Sequence, residues 1–342
     1  MTTSTNPRPG AGPRGSTSPS GRPTDAGSRN SGAHSAGDGG TSAASAVVRP
    51  RKPVKWGRIG AWTLVAVALI VTLAPFLWML RTALSSNHSL AANAGSLLPA
   101  DFSWGAFKRV LGLQSPEEAI AEGGSGAAIN FWLYLRNSII VSTLVTAGQV
   151  FFSAMAAYAF SRLRWPGRDK VFALFLATMM VPPIFTALPN FLMIKNLGLL
   201  NTYAGIILPF LFMTPFAIFF LRQFFLSMSR EVEEAAMLDG AKHVRIFFQI
   251  VMPNAAAPLA TLALLTFIGT WNEYFWPLLV GQDESVRVLT VGLGVFKSQS
   301  PQGAPDWSGL MAATLVAALP VLLLFIAFGK KVVNSIGFSG IK

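Results

Sequence analysis

Residues 229–253 read SREVEEAAMLDGAKHVRIFFQIVMP, and this stretch decides which fold the chain adopts. The hydroxyl of Ser229 can cap a helix, and the three glutamates that follow it place negative charge in the first turn, where the helix dipole stabilises it. Gly240 is a typical C-terminal residue of such a helix, because glycine adopts the left-handed conformation that turns the chain away. The stretch therefore predicts two short helices joined at Gly240.

The second of these helices is predicted to have one apolar face. Its apolar side chains recur at helical spacing, and they are Val244, Phe247, Phe248 and Val251. In the first helix, Ala235 and Ala236 are small enough to let another surface come close to the backbone. These features favour a two-helix projection that docks on a partner. An amphipathic hairpin lying on lipid headgroups is the alternative that the residues alone leave open.

Long apolar segments lie on both sides of this stretch, and each has the roughly 18 or more residues that a bilayer crossing needs. The six segments are 59–80, 139–160, 171–192, 204–221, 259–279 and 310–328. The chain is 52% hydrophobic and only 12% charged, against about 25% charged in soluble domains. Buried core helices of a large soluble protein are the alternative, which this low charge content disfavours. We predict an all-α integral membrane protein with six transmembrane helices.

Prolines interrupt the third and fourth segments, and they are Pro182, Pro183, Pro189, Pro209 and Pro215. In lipid, the carbonyl groups that a proline frees must be satisfied by neighbouring helices or water. The third segment is therefore predicted to be broken and packed within protein.

The basic residues predict the orientation in the membrane. With the N-terminus inside, 20 of the 27 Lys and Arg residues fall in inner segments and 7 in outer ones. Leaving out the long tail still gives 16 against 7, which places both termini in the cytoplasm and residues 81–131 and 281–308 outside. The same asymmetry accounts for most of the net charge of +12, so no nucleic-acid partner is expected.

Residues 1–50 are rich in Gly, Ser and Pro and lack Leu, Ile, Phe, Trp and Tyr. Such a segment buries too little apolar area to fold, so we expect a disordered cytoplasmic tail. The chain has no cysteine, and its three histidines lie far apart in sequence, so no metal site is expected.

The spacing within 229–253 resembles the EAA signature of ABC importer permeases. The matching residues are Glu234, Ala235, Ala236, Gly240, Ile250, Met252 and Pro253, with Met252 where the signature has leucine. Further stretches resemble the shorter permease of maltose-type sugar importers, namely 137–138, 156–162, 198–202, 270–277 and 318–320. The resemblance covers about residues 58–342.

This resemblance implies a type I ABC importer fold over residues 51–342, with 229–253 as the coupling loop. It implies a multi-pass protein of the cell membrane that works with a homologous second permease, an ATP-binding cassette ATPase dimer and an extracellular sugar-binding protein. ATP and Mg would be bound by the ATPase, so this chain would hold no cofactor and would not be an enzyme. The coupling residues it implies are Glu234, Ala235, Ala236, Asp239, Gly240, Phe247 and Pro253.

Glu273 is a charged residue within the otherwise uncharged fifth segment, and an intramembrane carboxylate suggests a functional site. With Asn272 and Tyr274 it could line a translocation path, while Trp271 and Trp276 offer aromatic faces to a sugar. The alternative is that the tryptophans form an outer interfacial belt and that Glu273 reaches headgroups or a loop.

Two other functions fit the sequence less well. A proton- or ion-driven transporter would need paired buried ionisable groups and usually an internal repeat, whereas this sequence has one such carboxylate and no convincing repeat. A membrane scaffold that transports nothing would not need proline-broken spans.

Overall fold

The computed structural model describes residues 56–337, except 91, 94, 125, 127–128, 295 and 297–304. This part of the chain consists of helices, connecting loops and one isolated bridge between Ser85 and Phe102. The predicted tail at residues 1–50 lies outside the described residues.

The helices are numbered here in chain order, and a π-helical segment, Phe247–Val251, lies between α11 and α12. They are α1 (Trp56–Ala83), α2 (Asn87–Leu90), α3 (Gly105–Val110), α4 (Pro116–Ala121), α5 (Phe131–Arg162), α6 (Arg168–Thr178), α7 (Pro183–Asn196), α8 (Tyr203–Leu211), α9 (Pro215–Ser227), α10 (Glu231–Leu238), α11 (His243–Ile246), α12 (Met252–Asn254), α13 (Ala256–Trp271), α14 (Phe275–Val280), α15 (Leu289–Leu293) and α16 (Trp307–Gly337).

Three helices in the described part are long and apolar enough to cross a membrane unbroken: α1, α5 and α16. Three bent pairs also qualify by length and hydropathy. These are α6 with α7, bent by 96°, α8 with α9, bent by 44°, and the His243–Asn254 helix with α13, bent by 78°. Counting each pair as one span gives six, in agreement with the predicted all-α membrane fold.

The third segment is broken at its proline pair. α6 ends at Thr178, and α7 begins at Pro183, which fits the first turn of a helix because its missing N–H needs no partner there. The side chains around the break face outward, with Met180 84% and Phe185 71% exposed. The predicted break is therefore present, and it is not packed within this chain; that protein covers it stays a prediction.

The fifth segment does not run to residue 279 as one helix, and this prediction is wrong. α13 ends at Trp271 and α14 begins at Phe275. A continuous helix would push the ring of Pro277 against the carbonyl oxygen of Glu273, four residues earlier. That oxygen instead accepts a hydrogen bond from the Thr290 hydroxyl at 2.8 Å.

α5 is the centre of the bundle, and α8, α9, α13 and α15 all pack against it. The approach of α8 is close because Gly148 has no side chain: a β-carbon there would lie 2.6 Å from the backbone oxygen of Leu211. Next to it, the Gln149 amide donates a 2.9 Å hydrogen bond to the Thr214 hydroxyl at the break between α8 and α9. A polar side chain of α5 thus contacts the bend in the fourth segment.

Apolar clusters lie at both ends of α5. One, around Ala157 and Tyr158, joins the C-terminal part of α5 to α9, to the start of α13 and to residues 246–251. Two others join its N-terminal part to α3, α8, α14 and α16. α1 differs from α5 in its burial: none of the most apolar 18 residues of Gly60–Ala83 is buried within the chain.

Candidate functional site

The helix that begins the 229–253 loop starts one residue later than predicted. Its N-cap is Arg230, whose side chain makes no capping hydrogen bond. The hydroxyl of Ser229 still accepts the N–H of Glu231 at 3.3 Å, so Ser229 satisfies a helix-end donor from outside the cap position. The three glutamates occupy the first turn, as predicted.

Gly240 adopts the predicted left-handed conformation, with φ of +83°. The N–H of Gly240 donates to the carbonyl of Met237 at 3.0 Å, and the N–H of Ala241 donates to that of Ala236 at 2.9 Å. These two bonds form a Schellman motif, which ends α10 and directs the chain into the next helix. No atom lies within 4 Å of a β-carbon placed on Gly240, so only backbone conformation restricts this position.

Most of the predicted coupling residues lie on the outside of the loop. Glu234, Ala235, Asp239 and Pro253 are exposed, and Ala236 is half-buried. The same loop also exposes the apolar side chains of Val232 (58% exposed), Met237 (44%), Leu238 (90%) and Val244 (69%), of which sequence reasoning singled out only Val244.

The predicted apolar face of the second helix is only partly correct. Phe247 and Val251 are buried, whereas Val244 and Phe248 are exposed. The side of this helix that packs against the chain includes Ile246, which is fully buried, and residues 247–251 form a π-helix. Phe247 packs on Tyr158 of α5, with ring centroids 5.4 Å apart, so it positions the loop from inside rather than lying on the exposed surface.

Glu233 lies inside the loop, although the sequence suggests only a first-turn acid. Its carboxylate is ion-paired with Arg162, the last residue of α5, at 2.9 Å. Burial raises the pKa of Glu233 above its usual range, while Arg162 and Arg230 oppose this rise. Both partners line a cleft of about 560 Å³ between α10 and the end of α5.

Asn272, Glu273 and Tyr274 lie at the break between α13 and α14, not within a helical span. Asn272 and Tyr274 are exposed, and Glu273 is half-buried. One carboxylate oxygen of Glu273 accepts the N–H of Trp276 at 3.2 Å, which satisfies a donor at the start of α14. The break thus presents three polar side chains, of which Glu273 lines a small cavity together with residues of α5 and α8.

Neither reading of the two tryptophans holds. Trp271 and Trp276 are each 4% exposed. The indole N–H of Trp271 donates to the carbonyl of Ala317 at 3.2 Å, and that of Trp276 to the carbonyl of Gly205 at 3.3 Å. Both rings therefore join helices within the chain, and neither faces a sugar or forms an interfacial belt.

Asn137 organises the surroundings of this break, and in the sequence only the resemblance of residues 137–138 to maltose-type permeases singles it out. Its buried amide donates to the carbonyls of Ser285 and Arg287 at 2.9 and 3.0 Å, and it accepts the Tyr203 hydroxyl at 2.6 Å. α5, α8 and the 282–288 loop are thereby fixed together. The cavity beside Glu273 measures about 20 Å³, room for about one water.

Comparison with known proteins agrees with this architecture. Residues 149–336 match the family described as binding-protein-dependent transport system inner membrane component. The chain is 32% identical over 295 residues to the probable ABC transporter permease protein YurM of Bacillus subtilis, covering 86% of this chain and 92% of that protein. It is 32% identical over 268 residues to the diacetylchitobiose uptake system permease protein NgcG of Streptomyces coelicolor, covering 78% and 83%.

A solved structure has the same fold. It is the crystal structure of a bacterial ABC transporter involved in the import of the acidic polysaccharide alginate, with a TM-score of 0.64 and 26% identity over 80% of this chain and 95% of that chain. Bent apolar spans and an exposed two-helix loop define a membrane-embedded transport permease. The chain belongs to the binding-protein-dependent inner membrane component family, and it is a permease subunit of an ABC importer.

Proposed function

We propose that this permease imports a sugar or oligosaccharide, delivered by an extracellular binding protein and driven by ATP hydrolysis in separate ATPase subunits. The observation that carries the proposal is the 229–253 loop. It ends its first helix at a left-handed Gly240 and exposes Glu234, Ala235 and Leu238. A surface of this kind suits docking better than chemistry.

The ATPase dimer is the partner proposed for this loop. Residues 1–50 and the spans carry no phosphate-binding loop with its lysine, so ATP and Mg are assigned to the ATPase subunits. Closure of the ATPases would push α10 and rock the bundle. In this account Glu234, Ala235, Asp239, Gly240 and Pro253 form the contact, Ala236 and Phe247 hold its position, and the permease itself catalyses no reaction.

A second, homologous permease is proposed to complete the translocation path. The break between α6 and α7 leaves backbone groups beside exposed side chains, and such a break is tolerated at membrane depth only against protein or a water-filled cavity. The cavity beside Glu273 has room for about one water, so a saccharide needs a path shared between two chains. Asn272, Glu273 and Tyr274 are the proposed contribution of this chain.

The substrate class is supported by what similar proteins are named for: diacetylchitobiose uptake and alginate import. The resemblance to maltose-type permeases supports the same class. The basic residues support an orientation with both termini and the 229–253 loop in the cytoplasm, and with the 81–131 region outside.

The test is uptake by a deletion strain and by proteoliposomes that hold the complete transporter and its binding protein. The panel contains maltose, trehalose, diacetylchitobiose and an alginate oligosaccharide, with sn-glycerol 3-phosphate as a substrate that is not a sugar. We expect ATP-dependent accumulation of a saccharide that persists with an uncoupler. Uptake that collapses with the uncoupler would indicate ion-driven transport, and uptake of glycerol phosphate alone would exclude the sugar assignment.

A further inference from the structure

A single charged contact fastens α10 to the bundle. The Nε atom of Arg162, at the end of α5, lies 2.9 Å from Oε1 of Glu233. The two side chains are only 4% and 6% exposed, and Glu233 is the one buried residue of α10, whose eight residues are all described. Ala236 adds a half-buried apolar contact.

The other contacts at this point hold the chain leading into α10 rather than α10 itself. Arg162 donates through Nη2 to the carbonyl of Met228 at 2.9 Å. Arg222 donates to the carbonyl of Phe160 at 3.3 Å, and Arg230 to that of Ser161 at 3.5 Å. The last two bonds satisfy carbonyls at the end of α5 that have no partner within the helix. The ion pair is therefore the polar link between the two helices.

Burying an ion pair to hold a helix in place has a large desolvation cost. Apolar residues of similar volume often stabilise a buried site as well or better, because both charges must be taken out of water. A buried pair does differ from an apolar contact in one respect: a shift in register leaves a charge unpaired, which is strongly unfavourable. Arg162 and Glu233 thus hold α10 at one position relative to the end of α5.

The same helix leads to the proposed translocation path. α5 is unbroken from Phe131 to Arg162, and Ser138 near its start lines the small cavity beside Glu273. The 24 helical steps from Ser138 to Arg162 span about 36 Å. A displacement of α10 that is passed to Arg162 would therefore reach the cavity through one rigid element.

We propose that the Arg162–Glu233 pair is the positioning link that passes the displacement of α10 to α5, and so fixes how much transport accompanies each ATP hydrolysed. The inference rests on the proposed docking of α10 on the ATPase. It assigns to Glu233 a role distinct from that of its exposed neighbours: Glu234 and Ala235 meet the ATPase, whereas Glu233 holds the helix that they belong to.

The test compares Glu233→Gln, Arg162→Gln and the exchanged pair Arg162→Glu with Glu233→Arg, each in the complete transporter with its binding protein. Proteoliposomes report ATP hydrolysed per molecule of whichever saccharide of the panel above the wild type accumulates. We expect both single variants to keep the ATPase attached and to raise this ratio by at least about twofold. The exchanged pair should bring the ratio back toward the wild-type value.

Asp169→Asn is the matched control, because Asp169 pairs with Arg168 at 3.0 Å but is 73% exposed, and it should leave the ratio unchanged. A wild-type ratio in an attached Glu233→Gln complex would overturn the link. If the single variants do not insert in the membrane, the test uses the exchanged pair. A transporter that assembles with a normal ratio of ATP hydrolysed to saccharide transported supports the link, and one that assembles with a raised ratio overturns it. Gly240→Asp and Ala236→Glu, run in parallel, test docking itself, so normal attachment in those two would instead refute the proposed docking of α10 on the ATPase.

Discussion

Replacing Gly240 with alanine adds one methyl group at a position where the structure leaves open space. No atom lies within 4 Å of the new β-carbon, so the cost comes from backbone conformation alone. At φ of +83° a side chain costs about 1–2 kcal/mol, which lowers the ratio of native to opened turn by a factor of about 5–30. We expect the equilibrium between the Schellman ending of α10 and its opened forms to shift by that factor.

The assay is pull-down of the ATPase by the tagged permease, together with ATP hydrolysis in proteoliposomes that contain binding protein and sugar. Gly240→Ala should weaken attachment or stimulated hydrolysis. Gly240→Asp adds a charge at the docking surface, and Ala236→Glu forces a large side chain into a half-buried position, so both should act more strongly. All three should insert normally and pair with the second permease.

Gly112→Ala is the control, because Gly112 is also exposed, has φ of +71° and has no atom within 4 Å of its β-carbon. It carries the same backbone penalty in the 81–131 region. Attachment should stay normal in this variant. Equal losses of ATPase attachment in Gly112→Ala and Gly240→Ala would show a general effect on folding and would refute the reasoning. Wild-type attachment and hydrolysis in Gly240→Asp and Ala236→Glu would also refute it, and would favour a hairpin lying on lipid.

Four further predictions follow from the structure and sequence. Glu273→Gln should change uptake kinetics while assembly survives, and wild-type kinetics would place the path elsewhere. A truncation starting near Arg51 should insert and transport normally; normal insertion with lost uptake would contradict this. A cysteine at Glu118 should react with an impermeant maleimide in intact cells, whereas reaction only after permeabilisation would reverse the topology. The pKa of Glu233 is raised in the folded protein, so ionising this carboxyl favours the unfolded state, and the wild type should lose thermal stability relative to Glu233→Gln as the pH rises from about 4.5. A difference in melting temperature between the two proteins that stays constant with pH would contradict the shift.

Local chemistry made part of the structure predictable. Gly240 follows a short amphipathic helix, and its left-handed conformation needs no knowledge of distant residues. Pro182 and Pro183 interrupt the third segment wherever it lies in the fold, and the helices do break there. Both predictions depend on single residues acting on their own backbone.

Packing between distant segments was not predictable in the same way. The burial of Glu233 depends on Arg162, 71 positions earlier, and nothing local distinguishes Glu233 from Glu234. The two tryptophans are buried in apolar clusters formed by distant segments, where carbonyls of other helices accept their N–H groups. The break at residues 272–274 could have been foreseen from Pro277, which the apolar character of the segment obscured.

Protection of α10 by the ATPase tests the central claim most directly. The cysteine-free chain allows a single cysteine at Leu238, which is 90% exposed at the tip of the loop, with Asp169→Cys as an exposed position outside the loop. Labelling with an impermeant maleimide is followed in inside-out vesicles before and after the ATPase subunits are added back. Our account predicts that the ATPase slows labelling at position 238 and leaves position 169 unchanged, whereas equal labelling rates at position 238 with and without bound ATPase would contradict it.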